Sequence, residues 1–160
     1  MLNTTIDNNQ ETIDSRDLID RAYDLIDTYI QAFNEQQKIE DGDEAEELER
    51  EDALHNDLFL AWLIAANDDE RSELAALIKV WRECENLSDW THGEQLIRRS
   101  YFVDYITQLI DDCYELPKEL TSGNWPYRHI RIDYEAAADE AEYDYMTVDF
   151  NGVDYLIRCV

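Results

Sequence analysis

Carboxylates are the side chains that this sequence repeats at spacings able to do chemistry. Asp17, Asp20, Asp24 and Asp27 recur every three or four residues, and Glu44, Glu46, Glu47, Glu49, Glu51 and Asp52 crowd one short run. At helical spacing the first four share a face, with successive carboxylates about 5 Å apart along the axis and no lysine between them. Fixed anions in a row have three chemical uses: acid–base catalysis, metal binding, or display of negative charge to a cationic partner. Adjacent acids such as Asp111 and Asp112 suit hydrolysis in principle, but with 39 Asp and Glu in 160 residues such pairs arise from composition alone. Asp41 and Asp43 begin like a calcium loop, yet the sixth position, where the loop needs glycine, is Glu46.

The other reactive residues assemble into nothing recognisable. His55, His92 and His129 are isolated, Cys84, Cys113 and Cys159 are widely spaced, and no HxxxH or CxxC pair occurs. The 4 glycines form no phosphate-cradling loop. The expectation is a protein that is not an enzyme and holds no metal or cofactor. Display remains, and the net charge of -26 supports it, because so much like charge opposes compaction unless something outside the chain uses it. In duplex DNA that many charges span about 13 base pairs, roughly 44 Å of axis, close to the ~40 Å diameter of a compact domain of this length.

The elements that must carry these acids are mostly helical. Residues 1–13 read as a loose polar arm, and 14–116 as an acidic four-helix region. In the first helix Leu18, Ile19, Ala22, Tyr23, Leu25, Ile26, Tyr29, Ile30 and Phe33 oppose the aspartate stripe. The acid run to Asp52 is expected to open a second helix whose apolar half, LHNDLFLAWLIAAN, is buried. Asn67 with Glu70 marks the start of a third, carrying Leu74, Leu77, Ile78 and Trp81. Thr91 with Glu94 marks a fourth through Ile97, Tyr101, Tyr105 and Ile106, ended by Pro117.

Residues 117–160 form a C-terminal segment of different character. Its first part, 117–132, is the only net-positive stretch, with Lys118, Arg128 and Arg131 beside Trp125, Tyr127 and His129. These bases are expected to neutralise neighbouring carboxylates and hold the C-terminal elements on the helices. A short alanine-rich helix from Asp133 to about Glu142 adds Glu135, Asp139 and Glu142. A hairpin then turns at Asn151-Gly152, pairing Phe150 with Val153, Val148 with Tyr155 and Met146 with Ile157, and setting Asp149 against Asp154. The fold class expected is mainly α (α+β): an acidic helical bundle, a short helix and a C-terminal β-hairpin.

From about Asp57 the chain resembles the ArdA-type antirestriction proteins of plasmids, transposons and phages. Ser72-Glu73-Leu74-Ala75-Ala76-Leu77, LPKEL at 116–120, Ile132-Asp133-Tyr134-Glu135-Ala136 and the closing hairpin carry the likeness. The resemblance implies an elongated protein that imitates bent B-form DNA, with carboxylates standing in for phosphates in the groove of a type I restriction-modification enzyme. A homodimer is among the assemblies it implies. The first 56 residues depart from the family pattern, an acidic helical part replacing the β-rich domain.

The phosphate substitutes expected are Asp17, Asp20, Asp24, Asp27, Glu44, Glu46, Glu47, Glu49, Glu51, Asp52, Glu135, Asp139, Glu142, Asp149 and Asp154. The partner expected is a DNA-binding defence protein with a basic groove, a restriction-modification or CRISPR complex, and not nucleic acid or membrane, which so acidic a surface repels. Two other readings stay open: an acidic adaptor for a basic nucleoid or transcription protein, and a haloadapted domain. The cysteine pattern, the absence of a signal-like N-terminus and of any apolar run near twenty residues lead to the expectation of a cytoplasmic protein.

Overall fold

Asp14 starts the first helix where its sequence position predicts. Its carboxylate accepts from the Arg16 amide at 2.9 Å and pairs with the Arg16 guanidinium. In the computed structural model, which describes residues 6–160, helix α1 runs Ser15–Asp41, about 40 Å at 1.5 Å per residue. Leu18, Ala22, Leu25, Ile26 and Phe33 are buried along one side, and the four aspartates are exposed on the other.

Three shorter helices follow: α2 (Arg50–Ala53), α3 (Asp57–Ala65) and α4 (Asp69–Cys84). The acid run does not open a helix as expected. Residues 45–49 lack regular structure, their backbone held instead against α1 where Asn34 bonds both the amide and the carbonyl of Leu48, and α2 is only one turn. Asn56, whose side chain accepts from the Phe59 amide at 2.8 Å, caps α3 separately. Nor is the apolar run fully buried. Phe59 and Leu63 face the core, but Leu58 and Ile64 remain 68% and 53% exposed, since the core lies against one side of this helix only. Helix α4 begins one residue later than the capping pattern suggests, Asp68 accepting from the Arg71 amide at 3.0 Å, and buries Leu74, Leu77, Ile78 and Trp81 as expected.

The largest departure is at residues 91–98. Gly93 takes a left-handed φ of 97°, which ends a single helical turn at Trp90–His92, and Gln95–Arg98 form a strand, β2. It lies between β1 (Thr12–Asp14) and β4 (Val153–Arg158), with β3 (Tyr145–Phe150) on the outside, all antiparallel. The supposed loose arm is therefore ordered from Ile6, which is buried, and contributes a strand; its first five residues lie outside the described ones. The expected boundary at 116/117 is also bridged, because β2 pairs with β4. The hairpin has the expected register, Asp149 opposite Asp154, around a turn with positive φ at both Asn151 and Gly152.

Alternation along β2 puts Leu96 on one face of the sheet and Ile97 on the other, and two cores result. Leu96, Val148, Phe150, Tyr155 and Ile157 pack with α1, α3 and α4. Ile97 and Leu156 pack with Phe102 and Ile106 of α5 (Phe102–Cys113) and Ala138 of α7 (Tyr134–Ala141). Between α5 and α7 comes a one-turn helix, α6 (Lys118–Thr121). The chain is mainly helical, α+β, with helices on both faces of a four-stranded sheet. Among the described residues no helix is long and apolar enough to cross a membrane.

Burial makes one clear prediction for the thiols. It pushes Cys84, on the inner side of α4, up to about 12, while Cys113 and Cys159 are exposed. An aromatic disulfide reagent at about pH 8 is expected to titrate two thiols rapidly and the third only on unfolding. Three fast thiols would contradict the packing of α4.

Candidate functional site

The three acid clusters of the sequence become two arrays. The first unites the α1 stripe with the run that follows it, because the run folds back along the helix. Asn34 holds Leu48 from both sides, its amide nitrogen donating to the Leu48 carbonyl at 3.1 Å and its oxygen accepting from the Leu48 amide at 2.8 Å. Lys38 pairs with Glu47, and Arg50 pairs with Asp27 at 3.0 Å while its guanidinium lies 4.3 Å from the centre of the Tyr23 ring. These contacts run in opposite order along the two segments, so an irregular acidic ribbon lies antiparallel to an acidic helix. Asp17, Asp20 and Asp24 line the helix, and Glu44, Glu46, Glu49, Glu51 and Asp52 line the ribbon; all are exposed and form no ion pair among the described residues.

The second array lies on the other face of the sheet. Glu135 and Asp139 are exposed on α7, and Asp149 and Asp154 are exposed side by side on the hairpin. Tyr134 of α7 donates to Asp111 of α5 at 2.8 Å, fastening the two helices. Glu142 is the exception, half-buried and paired with Arg99. Of the fifteen carboxylates singled out in the sequence, Asp27, Glu47 and Glu142 thus pair with Arg50, Lys38 and Arg99, and the rest are exposed with no ion pair among the described residues.

Spacing alone did not distinguish those three, nor did it find the residues that build the platform. Asn34 and Arg50 are ordinary in sequence; only contact reveals them. Glu35 continues the α1 stripe about two turns further and is exposed, a position that the 3.6-residue period would have found.

Arginine placement explains how so much charge is left uncompensated. Arg21 makes a two-pronged bond to Glu73 at 2.8 and 3.0 Å, clamping α1 to α4. Arg82 binds the Leu54 carbonyl at 2.7 Å and Asp57 at 2.8 Å, clamping α4 to the start of α3. Arg71 stacks on Trp62, 3.9 Å from the ring centre. These cations join elements while the anions face outward: among the described residues no acid is buried, and only Asp14, Glu73, Glu85, Glu94 and Glu142 are even half-buried.

No family model matches this chain, and no curated protein or solved structure matches it either.

What the arrangement offers chemically is charge on a rigid support. Among the described residues no group of three His, Cys, Asp or Glu is placed to hold a metal ion. The histidines lie apart: His55 pairs with Glu85 at 3.1 Å, His92 touches the Ser88 carbonyl at 3.3 Å, and His129 accepts from Arg128 at 3.2 Å. The bases of 117–132 do not neutralise carboxylates as expected, since Lys118, Arg128 and Arg131 form no ion pair among the described residues. That segment is ordered by local turns.

One buried thiol and two half-buried tyrosines set an alkaline limit to the scaffold. Burial, helped by Glu70 at 2.7 Å, pushes Tyr29 up to about 12, and burial does the same to Tyr145. With Cys84 these groups favour folding while neutral. Their contribution is complete below their ordinary values of 9.0 for the thiol and 10.0 for the phenols, and is lost as pH rises through about 12. Denaturant midpoints are expected to fall steadily across that window; a flat profile would show that these groups are solvated.

Proposed function

We propose that this chain is a DNA decoy: it occupies the DNA groove of a defence enzyme and excludes DNA. A type I restriction-modification enzyme is the first target and a CRISPR effector the second. The observation that carries the reading is the first array, in which an acidic ribbon fastened antiparallel along residues 23–38 of α1 extends the exposed carboxylates Asp17, Asp20 and Asp24 of that helix, eight acids without an ion pair among the described residues. Lysines and arginines that grip phosphates gain free energy by releasing counterions, and carboxylates fixed at comparable density give them the same opportunity. Because the rows are already ordered, binding carries little conformational cost. Phosphate-like contacts position a partner without reading bases, so the decoy needs no sequence information.

The test is inhibition of purified type I enzymes and of a CRISPR effector, with DNA as competitor. Inhibition is expected to be stoichiometric, relieved by added duplex and weakened by salt. Binding to basic nucleoid or transcription proteins that DNA does not displace would favour an acidic adaptor instead. A haloadapted domain makes a different prediction, since it needs concentrated salt to fold. This chain buries Trp90, Tyr155, Phe59 and Phe150 almost completely, so its circular dichroism is expected to remain helical at about 20 mM salt, where screening is weak. Unfolding there would remove the decoy reading's main support.

A further inference from the structure

The segment around residues 118–131 has the composition of an interface anchor, and its bases form no ion pair among the described residues. It is a small knuckle in which α6 and the turn at 127–129 pack against each other. Its order is local: the Arg128 amide donates to the Asn124 carbonyl at 2.8 Å, that of His129 to Pro126 at 2.9 Å and that of Ile130 to Tyr127 at 3.0 Å. Every residue from 121 to 131 is exposed, with Trp125 at 74% and Ile130 at 51%. Elsewhere tryptophan and most arginines are buried in packing or fastened to acids, whereas here Trp125, Arg128 and Arg131 stand free of ion pairs among the described residues. Trp, Tyr and Arg are the residues that dominate binding energy at protein interfaces.

We infer that this knuckle docks on an acidic, apolar-floored surface of the same target protein, beside its DNA groove. The inference rests on the decoy reading and adds a second contact of opposite sign to it. Charge complementarity selects the occupant: a groove that attracts the carboxylate arrays repels Lys118, Arg128 and Arg131, so these cations gain only where the target is acidic. Trp125 and Ile130 would leave water there, and Tyr127 would cover their edge. The knuckle then supplies what charge lacks, discrimination between one basic groove and another.

The test uses a DNA-binding enzyme that the wild-type chain inhibits, with Trp125→Ala and the double variant Arg128→Glu/Arg131→Glu. The double variant takes the net charge from -26 to -30, which a basic groove alone would reward with tighter binding. The expected result is weaker binding by both variants, roughly thirtyfold for Trp125→Ala, with unchanged melting temperatures. Trp125 is also the only exposed tryptophan among the described residues, so acrylamide quenching should fall when the enzyme is added. Wild-type inhibition with both variants equally potent would overturn the knuckle contact and leave the decoy reading standing. No inhibition by the wild-type chain would overturn both. Shielding of Trp125 by an oligothymidylate alone, or by raising the chain's own concentration, would assign the knuckle to nucleic acid or to a second copy and overturn the inference.

Discussion

Replacing the eight unpaired acids of the first array by their amides, at Asp17, Asp20, Asp24, Glu44, Glu46, Glu49, Glu51 and Asp52, is expected to abolish inhibition at physiological salt. Each exposed ion pair contributes only about 0.5 kcal/mol, so single changes should be hard to detect. Eight together amount to about 4 kcal/mol, or roughly a thousandfold in affinity. The salt dependence is a second readout. If each acid displaces one phosphate contact, the slope of log affinity against log salt should become shallower by about seven. Misfolding will not account for the loss, because like charges three and four apart destabilise a helix and removing them should raise the melting temperature or leave it unchanged. The same eight changes combined with Glu135→Gln, Asp139→Asn, Asp149→Asn and Asp154→Asn remove both arrays. Full inhibition by that variant would end the decoy mechanism.

The arrays were legible in sequence only as far as their geometry is local. The α1 stripe follows from a 3.6-residue period, and the opposition of Asp149 and Asp154 follows from the Asn151-Gly152 turn. Each is determined by a few neighbouring residues, and each appears where expected. The ribbon is different. What lays residues 44–52 along α1 is Asn34, fourteen positions from Leu48, and neither residue announces a partner. Strands β1 and β2 are hidden for the same reason. Three and four residues long, they exist because Ile13 pairs with Leu96 and Ile97 with Leu156, contacts 83 and 59 residues apart in sequence. Local helix signals at Thr91 and Glu94 lose to that pairing. The error about the bases of 117–132 has another source: sequence shows which charges are near one another along the chain, whereas an ion pair requires that they meet in space.

Phe59→Ala is expected to have the largest effect on the scaffold. The ring is fully buried, edge-on to Phe33 of α1 at 5.3 Å and stacked with Trp62 at 6.0 Å, and it fastens α3 to the helix that carries the acid stripe. Truncating such a ring costs about 3–5 kcal/mol, a large part of the ~5–15 kcal/mol that holds a domain together. Self-repulsion of 26 net charges narrows the margin further, most at low salt, where the Debye length is roughly 30 Å at 0.01 M. The variant should therefore be unfolded in dilute buffer and recover helix as salt screens the repulsion. Leu58→Ala, one residue away but 68% exposed, should cost less than about 0.5 kcal/mol and stay folded throughout. Equal stability of the two variants would show that α3 is not docked on α1. Salt also weakens groove binding, so the two effects oppose each other in the destabilised variant. Inhibition by Phe59→Ala should pass through a maximum as salt rises, whereas inhibition by the wild-type chain should only decline. The contrast separates the two demands placed on this sequence: its core must withstand the charge that its surface presents.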